Sequence, residues 1–296
     1  RRQRQMCIRD RDYTVHDKVH PNKAGAEKMA TVWFEALKKV LASSETVFSP
    51  DIVRYKTLEN GDSLALHIFK PRNMQAGEKR PVIVYFFGGG WKLGTPLQFY
   101  RECAYYASKG MVAVSVDYRI EYLHHSTPFD SFEDAKDAIC WLRSHASDYQ
   151  LDPDKIAVAG GSAGGHLAAA LGTIGSDEAA NYRPNLSVLY YPVVDMVSRG
   201  YGFPEIKRDF EKISPIHHVS EATPSTLILL GTKDPIVSVE TIRSYQDKLL
   251  QKGVDCELHL FEGAGHPIFL YRKPLTEDYY KVRKLTDDFL KREGFL

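Results

Sequence analysis

From about residue 45 onward, short apolar runs alternate with amphipathic stretches, and turn-forming residues separate them. Residues 52–55 and 64–69 alternate apolar and polar positions on either side of Asn60-Gly61, the pattern of an antiparallel hairpin. Residues 81–87 are apolar throughout, as in a parallel strand buried on both faces. The same pattern predicts strands at 112–116, 156–159, 187–190, 226–230 and 256–261, and helices near 99–108, 131–145 and 277–291. This alternation predicts an α/β fold: a mostly parallel central sheet with helices on both faces and the hairpin as its leading edge.

One junction in this pattern carries chemistry. Gly160-Gly161-Ser162-Ala163-Gly164 follows the apolar run 156–159 and leads into the helix-forming stretch 166–170, which puts Ser162 on a sharp strand-to-helix turn. Such a turn is a nucleophile elbow when small residues flank the serine and let the backbone pack closely. Taken alone, the five residues equally describe a glycine-rich helix start capped by serine. Two further strand ends distinguish the readings. Asp234 follows strand 226–230 and His266 follows strand 256–261, and reacting groups in open α/β sheets sit beyond such ends. A serine hydroxyl is inert near neutral pH, so His266 is needed to take its proton and return one to the leaving group. Asp234 fixes the imidazole tautomer and stabilises the imidazolium. Phe87-Gly88-Gly89-Gly90-Trp91, directly after strand 81–87, exposes backbone amides, and those of Gly88, Gly89 and Ala163 are the candidate oxyanion hole.

Composition narrows the partners. A net charge of +1, from 39 basic and 38 acidic residues, gives no global field for nucleic acid or an anionic membrane. No apolar run approaches the roughly 20 residues of a membrane span. Cys7, Cys103, Cys140 and Cys256 are scattered, and no HExxH or paired-cysteine spacing suggests a metal. No cofactor and no oligomeric state is implied, and small neutral substrates remain open.

These motifs, across residues 45–296, resemble the α/β-hydrolase esterases of the hormone-sensitive-lipase-like and acetyl xylan esterase-like groups. The elbow segment GGSAGGHLA and Asp117-Tyr118-Arg119 also match that family, whose glycine loop usually begins with histidine where this chain has Phe87. The resemblance implies a serine carboxylesterase acting through an acyl-enzyme on small acyl groups, acetate above all, including those on polysaccharide. The chain between Tyr191 and Ser214 leaves room for only a short cap, hence an open, shallow site with Trp91, Tyr190 and Tyr191 near it. Two other readings are an arylformamidase-like amide hydrolase and a non-catalytic binding module on the same fold. His166, one turn past Ser162, is a rival base, and Asp195, after strand 187–190, a rival acid. The pairs His124-His125 and His217-His218 are sequence neighbours that rarely point into one site.

Residues 1–11, RRQRQMCIRDR, lack periodicity and resemble translated sequencing-adapter read-through at the end of a metagenomic assembly, so they stand outside the fold. In 12–44, Asp17 and His20 precede an amphipathic helix through Trp33, Leu37 and Leu41, and the block resembles the C-terminal end of an SGNH hydrolase domain. There the Asp and His serve a serine far upstream, so 12–44 reads as the remnant of an upstream domain. Any signal region would precede that domain, and a bacterial periplasmic or secreted location fits.

Overall fold

The computed structural model describes residues 49–72, 74–175, 181–196, 206, 209–269 and 275–296. The chain divides into two units, Arg1–Ser49 and Pro50–Leu296, and the sheet and its helices belong to the second. Segments 1–11 and 12–44, with Asp17 and His20, lie outside the described residues. So does part of the short cap expected between Tyr191 and Ser214.

Among the described residues one sheet of eight strands forms: β1 Asp51–Thr57, β2 Ser63–Phe69, β3 Arg80–Phe86, β4 Val112–Val116, β5 Leu151–Gly161, β6 Leu186–Tyr190, β7 Ser225–Gly231 and β8 Cys256–Phe261. Their order across the sheet is β1-β2-β4-β3-β5-β6-β7-β8. Strand β2 runs antiparallel to β1 and β4, and every other neighbour pair is parallel. This is the fold expected from the sequence, with the hairpin at one edge. Hydrophobic pattern follows position: β2 buries Leu64, Leu66 and Ile68 on alternate residues, whereas Val82 to Phe86 of β3 are all solvent-inaccessible. Each such side chain contributes about 1.5–3 kcal/mol by leaving water.

Strand β5 is longer than the run 156–159 predicts. Arg80 pairs with Leu151, but the next partner, of Val82, is Ile156, so residues 152–155 form an irregularity at the strand's start. Pro153 lies there and has no N–H to give a ladder.

The main helices are α1 Tyr100–Ser108, α2 Glu121–His124, α3 Pro128–Ser144, α4 Ala146–Tyr149, α5 Ala163–Thr173, α6 Phe210–Ile213, α7 Val239–Gln251 and α8 Glu277–Arg292. Strand parity separates two layers. Ser187 of β6 approaches Gly172 of α5, while Tyr190, of opposite parity, has its hydroxyl 3.4 Å from Thr286 of α8. Helices α5 and α8 therefore cover opposite faces. Helix α8 joins α1 through buried polar contacts, Tyr279 Oη–H donating to Glu102 at 2.6 Å and Tyr105 to Asp287 at 2.5 Å. Burial raises the Glu102 carboxyl above the usual range, although Tyr279 and Arg283 oppose the shift.

Candidate active site

The strand-to-helix turn bends because of what its neighbours lack. Ser162 has φ 56° and ψ −118°, strained for a residue with a Cβ, at a cost of about 1–3 kcal/mol. A Cβ on Gly160 would strike the Gly164 carbonyl, and one on Gly164 would strike the carbonyls of Phe86 and Phe87. Only glycine at both positions lets α5 start this close to β3. Two backbone bonds hold the turn: Ser162 N–H donates to the Tyr190 carbonyl at 3.0 Å, and His166 N–H to the Ser162 carbonyl at 2.9 Å.

The structure brings Ser162, Asp234 and His266 together in series. Ser162 Oγ lies 2.8 Å from His266 Nε2, and His266 Nδ1 lies 2.6 Å from Asp234 Oδ2. Because an ionised carboxylate only accepts, Nδ1 carries the proton and donates it, which leaves the Nε2 lone pair to accept the Ser162 O–H. The other carboxylate oxygen, Oδ1, accepts from the amides of Ile236 at 2.8 Å and Val237 at 2.9 Å. Burial alone would raise the Asp234 carboxyl, but the His266 ring and these two amides outweigh it and hold it below the ordinary value. Its stabilising contribution is thus present above about pH 4 and disappears as pH falls through the lowered value. Tyr191, at φ 39°, turns back after β6, and its ring meets the His266 ring at 4.8 Å and 62°.

Three sequence expectations are corrected by the structure. The Gly88 amide donates to Gln98 Oε1 at 2.6 Å, so it is not available to an oxyanion. The amides of Gly89, Gly90 and Ala163 donate to no acceptor among the described residues; Ala163 opens α5, where the first-turn amides have no partner within the helix. Gly90 replaces Gly88 in the candidate hole. Tyr190 does not line the site: its parity sends the ring to the α8 face, between Phe99 at 6.3 Å and Phe269 at 4.5 Å. Trp91, at 1% exposure, is buried edge-on against His166 at 5.1 Å and offers no open surface to a ligand.

The rival residues are engaged elsewhere. Asp195 lies 3.8 Å from His217, His124 Nδ1 accepts the Ile120 amide, and His218 Nε2–H donates to the Glu211 carbonyl. His166 is fully buried, and its Nε2–H donates to the Ile213 carbonyl at 2.7 Å. Burial pushes its imidazole down to about 4, against the opposing pull of the Ile213 bond. The unfolded chain protonates this histidine below about 6.5, whereas the folded chain keeps it neutral down to about 4. Stability therefore falls as pH drops across that window, by about 3 kcal/mol at its lower end. His166→Gln keeps a donor for Ile213 and removes the titration. Thermal unfolding should lose less stability between about pH 6.5 and 4 in this variant than in wild type, and identical slopes would place the acid sensitivity elsewhere.

Known proteins match the same region. The BD-FAE family model matches residues 66–202. Esterase Est2 of the Planctomycetes species Thermogutta terrifontis superposes with a TM-score of 0.78 at 37% identity, covering 83% of this chain and 93% of that one. Structures of that esterase also exist with propionate bound, with butyrate bound and phosphorylated by paraoxon. Esterase LipC of Mycobacterium tuberculosis is 30% identical over 233 residues, 68% of this chain and 56% of LipC. The acetylxylan esterase of Xylanibacter ruminicola is 25% identical over 212 residues, 64% of this chain and 42% of that enzyme. The chain spans about half the length of the curated relatives it matches.

Proposed function

Because the chain belongs to the α/β-hydrolase esterases of the hormone-sensitive-lipase and acetylxylan esterase type, we propose that it hydrolyses short-chain carboxylic esters through an acyl-enzyme on Ser162. The observation that carries this reading is the hydrogen-bonded series Ser162–His266–Asp234 on three adjoining loops. As Ser162 Oγ attacks the ester carbon, its proton passes to His266 Nε2 and the carbonyl π pair moves onto oxygen. The amides of Gly89, Gly90 and Ala163 receive that oxyanion. The imidazolium, held by ionised Asp234, then protonates the departing alkoxide as the C–O bond breaks, leaving the acyl group on Ser162. Water repeats the sequence, with His266 as base, to release the acid and restore the hydroxyl.

A preference for small acyl groups is supported by the propionate and butyrate held by the Thermogutta esterase, and carbohydrate acetate by the acetylxylan esterase. Measured on p-nitrophenyl esters, kcat/KM should be highest from acetate to butyrate and fall by at least about tenfold by decanoate, each unaccommodated methylene costing a fraction of its transfer energy. A preference for decanoate would overturn the short-chain reading. Release of acetate from acetylated xylan, compared with a small acetyl ester, tests the carbohydrate part.

A further inference from the structure

The peptide unit joining Phe87 to Gly88 is gripped at both ends. Its carbonyl accepts from Tyr118 Oη–H at 2.6 Å, and its N–H donates to Gln98 Oε1 at 2.6 Å. Each support is itself anchored. Tyr118 is fully buried, its ring stacks on that of Phe87 at 4.1 Å and 16°, and the adjacent Arg119 makes a paired contact with buried Asp134, Nε to Oδ2 at 2.8 Å and Nη2 to Oδ1 at 2.9 Å. Gln98 belongs to the one-turn 3-10 helix Pro96–Phe99, whose Pro96 and Phe99 are buried. Ser115 of β4 fixes that turn by donating to the Pro96 carbonyl at 2.7 Å.

What this grip controls is the direction of the next amide. The planes 87–88 and 88–89 are linked only through φ and ψ of Gly88, and glycine leaves both angles free. The Gly90 N–H belongs to peptide 89–90, whose carbonyl accepts from the amides of Lys92 at 3.1 Å and Leu93 at 3.2 Å, so plane 88–89 with its Gly89 N–H hangs between two held peptides, and an oxyanion hole works only when its donors are already aimed. Phe87 cannot supply the restraint through its side chain, since a phenyl ring makes no conventional hydrogen bond.

We infer that Gln98 and Tyr118 are positioning residues that clamp the 87–88 peptide and thereby aim the Gly89 amide at the oxyanion formed on Ser162, an inference that rests on the proposed ester hydrolysis. Neither side chain touches the reacting atoms. Gln98 removes Gly88 from the set of oxyanion donors and uses that amide to orient the next one.

The test uses the whole chain with Gln98→Met, which keeps length and loses the acceptor, Tyr118→Phe, which loses only the hydroxyl, and the double variant. Each single change should lower kcat for p-nitrophenyl acetate by about tenfold to a hundredfold with KM moving less than about threefold. A second readout is inhibition by 1,1,1-trifluoro-2-butanone, in which Ser162 Oγ bonds to the ketone carbon, the hydroxyl proton passes to His266 and the π pair becomes an oxyanion. Its Ki should rise by the factor by which kcat/KM falls, while thermal unfolding of Gln98→Met stays close to wild type. Because both side chains hold one peptide, the double variant should lose little more than the weaker single one. Lost activity with an unchanged ketone Ki, or wild-type kinetics in both single variants, would overturn the clamp. Absence of hydrolysis by the unmodified chain would instead remove the proposed ester hydrolysis, and the clamp's role with it.

Discussion

Ser162→Ala is expected to lower kcat for p-nitrophenyl acetate by about a millionfold, to the level left when the nucleophile of a serine relay is deleted. The geometry of the relay sets that size. The hydroxyl is the only group in it with a path to the ester carbon: His266 Nε2 is aimed at it from 2.8 Å, and the Asp234 carboxyl is spent on His266, Ile236 and Val237. Alanine also keeps the Cβ and the left-handed backbone at φ 56°, so the turn carries the same strain and the melting temperature should move little. Steady-state assay and thermal melting of the same preparation check both halves. Activity within about tenfold of wild type would mean that another residue attacks.

The second large effect is at Asp234. Asp234→Asn should reduce kcat by about ten-thousandfold, the loss seen when the carboxylate of a Ser-His-Asp relay becomes an amide. The cause is a tautomer switch and not a missing charge alone. An amide nitrogen presented to His266 Nδ1 makes that atom an acceptor, the ring proton moves to Nε2, and Nε2 no longer receives the Ser162 proton. The amides of Ile236 and Val237 still find an oxygen to donate to, so the loop after β7 should hold its shape. Steady-state rates of the variant and the wild type measured side by side check this, and a loss of less than about a hundredfold would contradict the tautomer account.

The elements that depend on one-dimensional pattern are readable directly. The unbroken apolar run of β3, the alternation in β2 and the glycines flanking Ser162 follow from burial on two faces, burial on one face and close backbone approach. The order Ser162, Asp234, His266 at three strand ends is readable for the same reason, because each end is marked by a change from apolar residues to glycine and polar ones. Tyr190 is misplaced by the sequence reading although a signal exists. Residues 187 and 190 have opposite parity, so they face opposite helical layers, and a tyrosine ending a strand points into the sheet packing unless the backbone turns, as it does one residue later at Tyr191. Helix α7 carries Ile242, Tyr245 and Leu249 at helical spacing behind the Ser238 cap, a readable signature that a strand-centred reading omits.

The exchange of Gly88 for Gly90 has no such signal. It depends on where the Gln98 side chain, ten residues on, places its oxygen, and on a tyrosine at the end of another strand. Nothing in hydrophobic period or motif spacing encodes a side-chain bond to one particular loop amide. The burial of Trp91 belongs to the same class: its backbone at φ 59° turns the indole onto His166, and an aromatic after a glycine run reads equally well as a surface for ligand.

The most direct test of Ser162 as the attacking atom is covalent labelling. Paraoxon should phosphorylate the chain once, its phosphorus bonding to Ser162 Oγ with departure of p-nitrophenolate, and activity should fall in proportion to label. Peptide mass spectrometry is predicted to place the adduct on Ser162 and to find none in Ser162→Ala treated alike. Label on another residue accompanied by loss of activity, or full hydrolysis by a completely labelled Ser162, would contradict the account.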